Sequence, residues 1–206
     1  MISDVVKVTN TGEGTEEALT AAQQSAAYGG LDRENSLHLR LLAEETLGML
    51  RQITGKREAE FWISSDGMKY VLHLVAVRIV TQKMRDELLK VSSSGKNEAA
   101  KGFMGKIRDV FDRAFASEGA GAMSDYYAMG MVDSFSVDHV SASASAAVWS
   151  MQKYKEAVKE QAAREKNADE KWDELERSIV ANVADEVRIA IKGDKVEMTV
   201  EKDFSK

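Results

Sequence analysis

With 206 residues and neither a cysteine nor a proline, the chain has room for one domain with insertions or at most two small ones, and disulfides and thiolate metal sites are excluded. Its 28 basic and 34 acidic residues give a net charge of −6 with the signs interspersed, which argues against a nucleic-acid partner. No run approaches the ~20 apolar residues of a membrane helix, and the first residues lack the basic-then-apolar order of a leader. A soluble chain is expected, with cytoplasm as the compartment that suits the cysteine count.

Residues 5–8 form a short β-prone run. Thr15 then precedes an Ala-rich helical stretch that Gly29-Gly30 ends. Residues 36–53 (SLHLRLLAEETLGMLRQI) carry a second, amphipathic helix. With Leu42 as origin, Leu39, Thr46, Met49, Leu50 and Ile53 fall within about 80° of one direction, while Arg40, Glu44 and Arg51 point the opposite way. His38, Glu45 and Gln52 line the edge of that stripe at seven-residue spacing.

Residues 59–63 and 68–80 flank Ser64-Ser65-Asp66-Gly67, and an Asp-Gly step between β-prone runs predicts a hairpin. The second run is apolar on both faces and reads as an interior strand. Helices are predicted over 82–91 and 98–116, the latter with Phe103, Ile107, Val110, Phe111 and Ala114 at helical spacing. Between them SSSGKN offers hydroxyls, a glycine and a lysine at a helix start, an arrangement that can hold an anion or merely cap a turn. It lacks the spacing of a Walker motif.

Residues 117–145 are rich in Gly, Ala, Ser and Met, with too few large side chains for a core of their own. They read as a mobile or partner-facing insertion, with Met123, Met129, Met131, Tyr126, Tyr127 and Phe135 as an apolar cluster that either packs locally or offers an adaptable surface to a protein partner. Residues 148–187 show helical spacing throughout, with Glu170 placed for a capping box begun at Asn167. The chain then closes on an alternating hairpin over 187–202 around Gly193-Asp194.

This order of elements resembles the GHKL ATPase superfamily, and within it the anti-sigma-factor serine kinase branch. LLAEETLGML looks like that family's E-x-x-x-N helix, and SIVANVADEVRIAIKGDKVEMTVEKDF looks like its last helix and closing hairpin. The resemblance covers residues 1–80 and 172–204. It implies an α/β two-layer sandwich with helices on one face of a mixed β-sheet, forming a single domain over 1–206 with a helical, lid-like insertion at 117–171.

Carried over by position, Glu45 matches the family's acidic residue, which positions or activates water or a hydroxyl. Met49 stands where the family has its magnesium-binding Asn. A thioether is a soft, weak ligand, whereas magnesium takes hard oxygen in octahedral geometry, so ATP is the implied ligand while magnesium binding is disfavoured. The family's adenine-reading Asp and Gly have no counterpart in LHLVAVRIV. Gly102 and Gly105, with Lys106 nearby, could stand in for its Gly-rich phosphate box, and Ser94, Gly95 and Lys96 join them as candidate nucleotide-binding residues.

Beside these, His38, His73 and His139 are too scattered for a metal site and read as structural or surface residues, and no G-x-S-x-G nucleophile signature occurs. Two functions are expected from these residues. One is a divergent ATP-binding regulatory domain with Glu45 as base and Lys96 or Lys106 on phosphate. The other is a protein-binding module that uses the same scaffold without nucleotide. Both imply a regulatory protein partner, neither nucleic acid nor membrane, and leave homodimerisation open.

Overall fold

The computed structural model describes residues 1–51, 58–77, 132–135, 146–162, 178–192 and 195–205. They belong to two compact units. The first comprises Met1–Ala76, Ile179–Arg188 and Glu197–Lys206, the second Val77–Ser178 and Ile189–Val196.

In the first unit the chain opens with strand β1 (Val6–Thr9), helix α1 (Thr15–Tyr28) and helix α2 (Arg33–Arg51). The two-glycine end of α1 is a Schellman motif. Leu31 N–H reaches Ala26 O at 3.0 Å and Gly30 N–H reaches Ala27 O at 3.2 Å, with Gly30 at φ 70°, a conformation that glycine adopts without steric cost. Helix α2 begins three residues earlier than its periodicity predicts. The Asp32 carboxylate accepts from Asn35 N–H at 2.8 Å, an N-cap that satisfies a donor the helix cannot.

Strands β2 (Glu58–Asp66) and β3 (Lys69–Val77) form the predicted hairpin. Asp66 pairs with Lys69, so the loop is Gly67-Met68, with Gly67 at φ 57°. Strands β6 (Glu186–Lys192) and β7 (Lys195–Asp203) form the closing hairpin, and their segments in this unit complete the strand order β1-β2-β3-β7-β6. β1 also pairs antiparallel with β2. Against β3, contacts run from Met68 with Phe204 to His73 with Glu197, numbering that rises on one strand as it falls on the other. The sheet is therefore antiparallel, where a mixed one was expected: β7 comes in beside β3 as the second arm of a hairpin, in the opposite direction, with no parallel crossover.

Strand alternation sorts the side chains onto two unequal faces. Phe61, Ile63, Tyr70, Leu72, Leu74, Met198 and Val200 are completely buried, while their neighbours Trp62, Val71, His73, Val75 and Thr199 are half-buried. β3 is thus an interior strand, but only one of its faces lies in the core. α1 packs on β1, β2 and α2, burying Ala18, Leu19, Ala22 and Ala26, and α2 packs on a short helix whose range is Ile179–Val183 (α4). The end of β7 is fastened by Asp185, whose carboxylate accepts from Asp203 N–H at 2.7 Å and lies 3.4 Å from Lys202 Nζ.

In the second unit, β4 (Val132–Phe135) pairs antiparallel with β5 (Ala146–Ser150), and the strand order β7-β6-β5-β4 includes the remaining segments of the closing hairpin. Helix α3 (Met151–Ala162) follows at once. Two expectations need correcting here. Residues 148–150 are strand instead of helix, because Ser150 caps α3, its Oγ accepting from Lys153 N–H at 3.4 Å, and Val148-Trp149 pair with β4. The stretch expected to be a helical insertion accordingly contains a β-pair. Trp149, Met151 and Tyr154 are buried together, with the two rings 6.1 Å apart. The helices predicted over 82–91 and 98–116, the capping box at Asn167 and the methionine cluster apart from Phe135 lie outside the described residues.

Candidate functional site

Helix α2 was expected to carry the site, and its buried arc tests that geometry. Leu39, Leu42, Ala43, Thr46, Leu47, Met49 and Leu50 are all at most 3% exposed. At about 100° per residue these span about 160°, centred toward Ala43 rather than on Leu42. Thr46 is accommodated because its hydroxyl donates to Leu42 O at 2.7 Å, leaving only its methyl to the core.

Met49, at 2% exposure, is a core side chain. Glu45 lies outside the arc and is half-buried, as is His38. Arg40 instead pairs with Glu44, Nε to Oε1 at 3.1 Å on the solvent side. Ser94, Gly95, Lys96, Gly102, Gly105 and Lys106 lie outside the described residues, so of the expected nucleotide site only Glu45 and Met49 are described.

The other face of the sheet holds a cluster that the spacing of residues did not single out. Ser64 on β2, His73 on β3 and Glu197 on β7 sit side by side within the first unit. Ser64 Oγ is 2.9 Å from His73 Nε2, and Glu197 Oε1 is 3.8 Å from His73 Nδ1. Trp62, the direct cross-strand partner of His73, lies flat on the imidazole with centroids 4.7 Å apart and planes 3° from parallel. That stack fixes the ring plane, so one nitrogen faces the hydroxyl and the other faces the carboxylate. Among the described residues His73 Nδ1 is buried with no hydrogen-bond partner, and Glu197 is the carboxylate on its side of the ring. With the proton on Nδ1 the Ser64 hydroxyl donates to Nε2, and with it on Nε2 the ring donates to Ser64 Oγ.

A signal for part of this cluster exists in the sequence. A two-residue loop at Gly67-Met68 sets Trp62 opposite His73 and puts Ser64 on the same face, two residues along. The third member comes from the far end of the chain through the β3–β7 pairing.

Elsewhere in the unit Tyr70 is fully buried. Its hydroxyl donates to Ser25 O at 3.4 Å, its ring meets Phe204 edge-on at 5.5 Å, and burial pushes its pKa up from the ordinary 10.0. Among the described residues no group of His, Cys, Asp or Glu side chains could hold a metal ion, and no helix is long and apolar enough to cross a membrane. No protein-family model, curated protein or solved structure matches this chain.

Proposed function

We propose that this chain is a protein-binding module on a GHKL-like scaffold, engaging a regulatory partner without metal-dependent nucleotide turnover. The scaffold reading is supported by element order: strand, two helices and a hairpin at the start, then a short helix and a closing hairpin at the end. The functional reading is carried by Met49. The position that the resemblance gives to the magnesium ligand is an apolar side chain 2% exposed, packed on the core side of α2. A buried thioether offers magnesium no hard oxygen, and drawing it outward would open the core.

Thermal unfolding tests this. A ligand present at 100 times its dissociation constant stabilises by about 2.7 kcal/mol, which for a chain of this length raises Tm by roughly 5–10 °C. Millimolar ATP with magnesium should leave Tm within about 1 °C of the ATP-free value, a shift worth less than about 0.5 kcal/mol. A rise of several degrees that needs magnesium would restore the ATP-binding reading, with Glu45 as base.

A further inference from the structure

We propose that Ser64, His73 and Glu197 form an acyl-transfer site on the half-exposed face of the first unit's sheet, with Ser64 as nucleophile toward small activated acyl esters. This site is separate from α2 and independent of the nucleotide reading.

Three observations place the parts in working order. The hydroxyl is at hydrogen-bond distance from one ring nitrogen, 2.9 Å, so His73 can take its proton as the bond to carbon forms. A carboxylate lies on the side of the other nitrogen, where it can hold the tautomer that leaves Nε2 free to accept, and where it would stabilise the imidazolium. The 3.8 Å separation is longer than a hydrogen bond, and such contacts are commonly loose in the absence of substrate. The Trp62 ring on His73 prevents the imidazole from turning out of this line. His73 and Glu197 side chains are 18% and 23% exposed, so the pair is open to a small reactant yet partly shielded from water. Trp62, Val71 and Val75 on the same face supply the apolar surface that favours aryl and short acyl groups.

The reaction balances without any group beyond ester and water. Ser64 Oγ attacks the acyl carbon while its proton passes to His73 Nε2. The tetrahedral intermediate then breaks its bond to the leaving oxygen, which takes that proton from Nε2 and departs as the alcohol. Water attacks the acyl-serine next, giving its proton to Nε2. The acid is released, and the proton returns to Ser64 Oγ. Ser64 and His73 are the catalytic residues, and Glu197 is a positioning residue.

The full-length protein should release p-nitrophenol from p-nitrophenyl acetate and become labelled by an alkyl fluorophosphonate, with peptide mass mapping placing the phosphonyl group on Ser64. S64A should abolish that label, and H73Q should slow it by about 10²–10⁴-fold. E197Q should slow it as well, while E197D should recover part of the loss, which a merely structural carboxylate would not require. Circular dichroism confirms that each variant is folded. If H73Q is not folded, H73N serves in its place, and the S64A and Glu197 pair still decide the matter. Label on other residues only, no label, or labelling of Ser64 that is unchanged in the folded His73 variant would overturn the proposal.

Discussion

Gly29→Ala tests the packing of α1 on the sheet at a single atom. Gly29 has φ −77° and ψ −4°, an ordinary right-handed conformation, so its backbone does not require glycine. Taken alone, alanine should stabilise by about 0.4–1 kcal/mol through the unfolded state. Space reverses that sign. A Cβ at this position would lie 1.6 Å from Tyr70 Oη and 3.0 Å from Tyr70 Cζ. The Tyr70 ring is completely buried on an interior strand and wedged against Phe204, so it has no free rotamer to retreat to.

Forcing the overlap costs about 1–3 kcal/mol, with a further ~0.5–1 if the bond to Ser25 O breaks. The net expectation is a loss of about 1–3 kcal/mol, read as a lower urea midpoint or a fall of several degrees in Tm. Tyr70→Phe removes the oxygen and leaves a contact that a shift of a few tenths of an ångström relieves. In that background Gly29→Ala should cost at least about 1 kcal/mol less than it does in the parent. A penalty equal in both backgrounds, or an alanine variant as stable as the parent, would refute this packing of α1 against β3.

Three further outcomes follow from the same geometry. Asp32→Ala removes the cap of α2 and should cost about 1 kcal/mol by urea denaturation, whereas Asp32→Asn should keep most of it. Met49→Asn loses a buried thioether side chain and leaves an unsatisfied amide in the core, which should cost about 3–5 kcal/mol without creating magnesium-dependent ATP binding. Tyr70 holds its proton more tightly when folded than unfolded, so its contribution is fully present below the unfolded value of about 10 and is lost as pH rises from there through the folded value. The urea midpoint should therefore decline above about pH 10 more steeply in the parent than in Tyr70→Phe.

Elements whose cause is local are legible in the sequence. Gly29-Gly30 ends α1 because a left-handed residue is needed there, and Asp66-Gly67 turns β2 into β3 for a related reason. Met49 belongs to the apolar arc of α2 by its angle alone, and burial follows. The fold departs from local pattern where long-range pairing decides. Val148-Trp149 satisfy a helical period, yet β4 offers them a partner strand and Ser150 starts α3 after them. Glu197 reaches His73 only because β7 lies beside β3, a pairing between segments over a hundred residues apart that no spacing encodes. His73 reads from sequence as a structural or surface residue, and the structure sets Ser64, Trp62 and Glu197 beside it.

Titration calorimetry of the intact protein with ATP, run with and without magnesium, tests most directly the proposal that α2 carries no metal-dependent nucleotide chemistry. With Met49 held in the core, the two titrations should be indistinguishable, with no magnesium-dependent heat up to millimolar ATP. A saturable heat that appears only with magnesium, and that Glu45→Gln alters, would contradict it.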